Sequence, residues 1–278
     1  MRIFRNALTL VMTPSMVPCW ARWQMRFFGV PVVVKIPFGA TVGSFSSFSE
    51  LWSVRHMAPS SRECRLIQRV VVPSSLNFDV GANVGGFTLA MAKACPAAEI
   101  HSFEPAPDTF DRLCKNIALN GVPHVHSHRV AMGSKPGLSL FHVDPNSPAT
   151  NHLRNERTAN EQCIEVEVQT VDATIQKIGQ RSPGLLKIDV EGFECEVLLG
   201  AAESIQQNRW AAVLIEVCPS NLHRTGRSVG DLISICDSLG CALFELTEQG
   251  HPGRELSLND LRNVTFVNAL VARKRQPR

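Results

Sequence analysis

Asn77 to Leu89 reads NFDVGANVGGFTL, and the reading of this stretch decides the fold. Asn77 to Val80 has the character of a strand, Gly81 to Gly85 that of a tight turn, and a helix begins near Gly86 and ends before Pro96. Glycines permit a positive φ and a close approach of backbone to ligand. A turn of this kind at a helix N-terminus receives a pyrophosphate when its spacing is G-x-G-x-x-G. Here the run is Gly81-Ala82-Asn83-Val84-Gly85-Gly86, so Asn83 stands where the middle glycine belongs. Asp79 adds a carboxylate at the strand end, which repels a pyrophosphate and favours an ammonium or a hydroxyl.

S-adenosylmethionine meets both demands, because it carries an amino acid, a sulfonium and a ribose but no phosphate. Asp79 would take its amino group directly or through water, and the turn amides would donate to its carboxylate. A glycine turn that merely joins strand to helix is the alternative. Glu104, at the end of the next strand in HSFEP, supports the ligand reading. An acid roughly 20 residues past a glycine loop is placed to accept both ribose hydroxyls.

Outward from this turn the chain alternates strands with helices. The strand EIHSFEP precedes a helix from about Pro107 to Leu119, closed by Asn120-Gly121. A third strand, HVHSHRVAM, leads to GLSLFHV and IEVEVQTV, which read as an inserted hairpin or added strands. GLLKIDV and AAVLIEV are apolar strands separated by a helix from Glu194 to Gln207, and another helix runs over Val229 to Leu239. ALFELTE and VTFVNALVAR close the chain as an antiparallel pair. The pattern predicts an α/β doubly wound fold with a mostly parallel sheet, whose ligands bind at the carboxyl ends of the strands.

Residues 1–72 differ and read as an N-terminal extension on a main domain spanning 73–275. Val30 to Gly39 reads as an irregular strand confined by Pro31 and Pro37 to an edge or a separate hairpin. Helices follow, with Ser47 or Ser49 capping the first and Ser60 or Ser61 the second. The first residues, with Arg2 and Arg5 before a short apolar run broken by Pro14, are too short to span a bilayer and match a signal peptide poorly. They read as an amphipathic leader.

Composition sets wide bounds. Hydrophobic content of 44% and charged content of 19% fit a soluble globular protein, and the net charge of +3 gives no reason to expect nucleic acid. The basic end, Arg273, Lys274, Arg275 and Arg278, reads as a solvated tail. The nine cysteines include no CxxC pair and no disulfide rhythm, which points to a reducing cytoplasm.

LLKIDVEGFECEVLLGA, Leu185 to Ala201, carries the remaining chemistry. A central parallel strand is normally an apolar run. Here Lys187, Asp189 and Glu191 alternate, which projects all three from one face. Charges on a covered strand are costly unless paired or functional. They read either as a structural Lys187–Asp189 pair with Glu191 capping the next helix, or as a catalytic group at the ligand crevice. Glu216, in VLIEV, adds an acid at the same end. Asp189, Glu191 and Glu216 also compose an oxygen set for a divalent ion, though pairing with Lys187 is the preferred use.

DVGANVGGFTL, FEPAPDTF, NIALNG, VQTVDATI and LLKIDVEGFECEVLLGA together resemble the FkbM family of S-adenosylmethionine-dependent methyltransferases, over about Asn77 to Glu248. The resemblance implies a seven-stranded class I methyltransferase fold and methyl transfer to oxygen in polyketides, sugars or glycans. It places the cofactor motif on Asp79, Gly81, Asn83, Gly85 and Phe87, with Glu104 for the ribose. It places the acidic motif on Lys187, Asp189, Glu191 and Glu194, and Arg129 to Ser134 beside the adenine. Gly86 departs from the pattern, where the family often has an aromatic or polar residue.

The expected reaction is therefore an in-line displacement with Asp189 receiving or orienting the acceptor hydroxyl, Lys187 holding Asp189, and His223 as a rival base. A cofactor-binding chain without transfer and a nicotinamide-dependent oxidoreductase stay open as alternatives. Acceptor specificity is expected from residues 1–72, from the polar insertion Asp144 to Gln162 and from the loop after Glu216.

Overall fold

The computed structural model describes residues 10–12, 32–43, 59–143, 152–154, 163–179 and 182–274. Strands β1 (Leu10–Met12), β2 (Val32–Lys35) and β3 (Thr41–Val42) form a small N-terminal sheet. Helix α1 (Ser61–Val70) leads into β4 (Leu76–Val80), α2 (Gly86–Ala94), β5 (Glu99–Phe103), α3 (Pro107–Asn120) and β6 (Val125–His128). A second small sheet then uses β7 (Ala131–Met132), β8 (Gly137–His142), β9 (His152–Arg154) and β10 (Cys163–Gln169). Alternation resumes with α4 (Val171–Ile178), β11 (Pro183–Ile188), α5 (Glu194–Gly200), α6 (Ala202–Gln206), β12 (Ala212–Val217) and α7 (Pro219–Arg224). The chain closes with α8 (Val229–Ser238), β13 (Cys241–Leu246), β14 (Pro252–Glu255), α9 (Leu258–Leu261) and β15 (Val267–Arg273).

The large sheet has the order β14-β13-β15-β12-β11-β4-β5-β6. Strands β12, β11, β4, β5 and β6 are parallel, and β15 runs antiparallel to both its neighbours. These strands and β13 give the expected seven, and the short β14 adds an eighth at the edge. From β4 the chain builds outward to β5 and β6, then returns to build β11 and β12 on the other side. The order reverses between β4 and β11, so that is where an open α/β sheet has its ligand crevice.

Two cores cover the two faces. Leu66 and Ile67 of α1 and Leu89 and Met91 of α2 pack on Ile100, Leu185, Leu214 and Leu270. Val171 and Ile175 of α4, Val197 and Leu198 of α5, and Leu232 and Cys236 of α8 pack on Phe78, Phe103, Leu186, Ile188 and Ile215. This is the doubly wound, three-layer arrangement that the alternating pattern requires. Ser60 caps α1 through a capping box with Glu63, and Gly121 ends α3 in the left-handed conformation, at the positions the sequence marks.

Several sequence expectations need correction. The third strand stops at His128. The side chains of Val130 and Met132 turn into the main core while Ala131 and Met132 pair with β10, so HVHSHRVAM serves two sheets. Leu10–Met12, read as part of a leader, pairs in parallel with Val32–Val34. The polar insertion contains β9, paired with β8. The helix expected after Ser47 or Ser49 lies outside the described residues. Among the described residues every cysteine is free, and no helix is long and apolar enough to cross a membrane.

One irregularity fixes the phase of the site. Leu76 and Phe78 of β4 face Pro183 and Leu186 of β11, so β11 carries one extra residue there. The side chain of Asn77 fills the gap. Its Oδ1 accepts from the Leu185 N–H at 2.9 Å, and its Nδ2 donates to the Glu99 carbonyl at 3.2 Å and to Ser75 Oγ at 2.9 Å. Gly184 is required beside it, because a Cβ there would lie 2.4 Å from Asn77 Oδ1 and 2.9 Å from the Val70 carbonyl. Beyond the bulge Lys187 pairs with Asp79. Asn77 is fully buried, so truncation strands the Leu185 donor. Asn77→Ala is expected to destabilise the fold by roughly 2–3 kcal/mol in denaturant unfolding, more than an exposed Asn→Ala change.

Candidate active site

The turn after β4 is held by the chain's own backbone. The N–H groups of Gly81 and Ala82 both donate to the Phe103 carbonyl at 3.0 Å. Gly81 has a φ of 77°, and a Cβ there would sit 1.8 Å from the Asp189 carbonyl oxygen. Only glycine allows the turn to lie this close to the end of β11. Asn83 takes a left-handed φ of 49°, which Asn tolerates better than most residues, and its Oδ1 accepts from the Val84 N–H at 2.8 Å. The residue that replaces the middle glycine thus keeps the turn's backbone shape. Asn116 secures the turn from α3 by donating to the Val84 carbonyl at 2.9 Å, and its Oδ1 accepts from the Gly43 N–H.

Glu104 lies beside this turn, as expected. Its Oε2 accepts from the Asn83 N–H and its Oε1 from the Ala106 N–H, both at 3.0 Å. Burial pushes its carboxyl up to about 7, against the lowering effect of those two hydrogen bonds. Each oxygen keeps a lone pair for a further donor.

Lys187 stands between two carboxylates, 3.3 Å from Asp79 Oδ1 and 3.2 Å from Asp189 Oδ2. Asp79 is fully buried, and its Oδ2 accepts from Thr88 Oγ1 at 2.6 Å. Its Oδ1 makes no regular hydrogen bond, so Lys187 meets it as an ion pair. Both Asp79 oxygens thus face inward, one toward Thr88 and one toward Lys187. Burial acts to lower the Lys187 ammonium, and Asp189 and Asp79 overcome it, holding it above its ordinary value. The buried ring of Phe87 lies under the same ammonium, 5.5 Å from centroid to Nζ. Asp189 is the outward member of the group, with 27% of its side chain exposed.

Glu191 departs from the expectation. The strand ends at Ile188, so alternation no longer governs its direction. It occupies a turn at a φ of 57°, and its Oε2 accepts from Asn221 Nδ2 at 2.7 Å and from Arg224 at 3.5 Å. It does not cap the next helix. Glu194 serves that end, accepting from the Val190 and Gly192 N–H groups at 3.1 Å. Asn221 and Arg224 come from α7, a helix whose PSNLHR sequence carries no motif that would have singled them out. His223, the rival base, is exposed on the same helix. Among the described residues the only convergence of three metal-ligand groups is Glu99, His101 and His126, so Asp189, Glu191 and Glu216 do not gather as an ion cage.

Acids crowd this end of the sheet. Burial, then the nearby Asp189, pushes Glu191 up to about 8 and Glu216 up to about 10. Burial likewise pushes Glu194 up to about 7.

A doubly wound sheet that reverses order beside a glycine turn, with an acid just past the second strand and β15 antiparallel between β12 and β13, is the architecture expected of a class I S-adenosylmethionine-dependent methyltransferase. The FkbM methyltransferase domain matches residues 79–241, and the chain belongs to that family. Hexuronic acid methyltransferase AglP of Haloferax volcanii is 24% identical over 210 residues, covering 76% of this chain and 84% of that protein. The 31-O-demethyl-FK506 methyltransferase FkbM of Streptomyces tacrolimicus is 26% identical over 255 residues, covering 80% of this chain and 94% of that protein. The 2-O-methyltransferase NoeI of Sinorhizobium fredii is 22% identical over 160 residues, 52% of this chain and 65% of that protein. Family membership sets aside the oxidoreductase alternative.

The raised carboxyls have a consequence for stability. Between the unfolded and folded values of such a group the folded state binds more protons, so stability falls as pH rises through that interval. For Glu216 the interval runs from the ordinary 4.5 to about 10. Glu216→Gln is expected to match wild type near pH 4.5 and to exceed it by on the order of 1–3 kcal/mol at pH 8, less than full ionisation would cost because neighbouring acids relax together. Thermal unfolding across this pH range checks the widening gap.

Proposed function

We propose that this methyltransferase transfers methyl to a hydroxyl oxygen of a sugar, glycan or polyketide-type acceptor, with Asp189 receiving the hydroxyl proton. The carrying observation is the position of Asp189: it is the exposed end of the Asp79–Lys187–Asp189 chain, at the point where the strand order reverses. The names of the relatives, which specify a hexuronic acid, 31-O-demethyl-FK506 and 2-O-methyl transfer, support an oxygen acceptor.

The residues present fit the cofactor. Glu104 is a buried carboxyl with one free lone pair on each oxygen, a set that two vicinal ribose hydroxyls satisfy. Gly81, Asn83 and Gly85 form the turn beside it, and Phe87 and Asp79 back that turn from the core. When bound, S-adenosylmethionine supplies an electrophilic methyl group on a sulfonium. Lys187 and Asp79 act behind the reacting centre as positioning residues, because the ammonium fixes the Asp189 carboxylate. Glu191, tied to Asn221 and Arg224, shapes the acceptor side. Alcohols are weak nucleophiles, so a positioned base contributes about 10²–10⁴-fold.

Asp189→Asn keeps the shape and removes the base. It is expected to lower kcat by about 10²–10⁴-fold while S-adenosylhomocysteine affinity stays within a few-fold of wild type; turnover near wild type would show that another group takes the proton. Glu104→Gln is expected to do the reverse. It weakens cofactor binding by roughly tenfold, as for a lost charge-assisted hydrogen bond, with kcat preserved at saturating cofactor. Calorimetric titration and steady-state assays on a panel of hydroxylated acceptors separate the two effects.

A further inference from the structure

The β5–β6 ladder carries a cluster that methyl transfer does not use. His101 stands directly across from His126 in the parallel register, and Glu99 lies two residues before His101 on the same face. One ligand atom from each of Glu99, His101 and His126 lies within 4.8 Å of the other two. His101 Nε2 is 2.9 Å from Glu99 Oε1, and its Nδ1 is 2.8 Å from His128 Nε2. The His101 and His126 rings stack with centroids 4.8 Å apart. His101 is buried, Glu99 half-buried and His126 exposed, so the cluster opens to solvent on the His126 side.

Two imidazoles and a carboxylate are a zinc ligand set, with bonds of about 2.0–2.2 Å and a fourth position left for water. We infer that Glu99, His101 and His126 form a Zn²⁺ site that clamps β6, the outer strand of the sheet, onto β5. Tetrahedral ligands sit about 3.4 Å apart at such bond lengths, so the widest separation closes by up to about 1.4 Å. The exposed His126 ring supplies that movement by rotation. Ligation requires the His101 Nε2 lone pair and therefore places the proton on Nδ1. His128 Nε2 is positioned to accept it, the outer-shell hydrogen bond that orients metal-bound histidines. The ordinary alternative is a stacked histidine ladder that only packs. The clamp would brace β5, which leads directly into Glu104, whose N–H donates to the His128 carbonyl at 3.0 Å.

The test uses the full-length chain stripped of metal and titrated with Zn²⁺ alone, read by calorimetry and thermal unfolding. One equivalent should bind and raise Tm by about 5–10 °C at a hundredfold excess over Kd. His126→Ala changes an exposed side chain, so its metal-free Tm should match wild type while the Zn²⁺ shift disappears. Glu99→Gln should weaken binding at least tenfold, and His223→Ala should leave it unchanged. Substituted Co²⁺ should show no thiolate charge-transfer band, which separates this site from the free cysteines. An absence of Zn²⁺ binding, binding that survives His126→Ala, or a thiolate band would overturn the assignment. No arm depends on methyl transfer.

Discussion

The Lys187 ammonium is the constraint on which the site rests. A buried cation is costly unless paired, and removing a partner of a buried pair costs about 3–5 kcal/mol because the remaining charge stays in the interior. Lys187 faces Asp79 on its own sheet face and Asp189 just beyond the end of its strand. That geometry exists only because the register of β11 shifts by one residue before Lys187. Without the bulge the side-chain period of two would carry Lys187 to the other face, among Phe78 and Phe103, and Ile188 to the face it left. The amide of Asn77 stabilises the bulge by taking the ladder donor it leaves open. One buried polar side chain thus sets the phase of the charged strand.

The glycine turn meets the same strand from the other side. Gly81 touches the backbone of Asp189 so closely that no side chain fits between them. The cofactor turn and the proposed base therefore share one rigid contact. Thr88 extends it into α2 through Asp79. Rigid placement matters here because in-line transfer gains most from a fixed distance between nucleophile and methyl group.

Much of this was legible in the sequence. The alternating pattern gave the layers, and Asp79, Asn83, Glu104, Lys187 and Asp189 were all marked by polarity where a strand or turn should be apolar or glycine. Other features were hidden for physical reasons. Asn77 looked like an ordinary strand residue, since the hydrogen bond it makes is to a residue 108 positions away. Glu191 was placed by extending strand alternation past Ile188, where the backbone turns left-handed and period-two reasoning stops. Arg224 and Asn221 belong to a short helix whose relation to Glu191 depends wholly on tertiary packing. The third strand reads too long in the sequence because an apolar pattern does not show which of two sheets it joins.

The crowding of acids around one buried ammonium bears on how labour is divided. Glu104, Glu191, Glu194 and Glu216 all have carboxyls pushed upward, chiefly by burial. Lys187 touches neither Glu191 nor Glu216; it touches Asp79 and Asp189. Where titratable groups share a site, environments that push them apart assign their roles. The Glu216 carboxyl, raised by burial and by the nearby acids, is thus set apart from Asp189, which lies against the ammonium. One ammonium thus bears directly on Asp79 and Asp189, while the surrounding glutamates take their environment chiefly from burial.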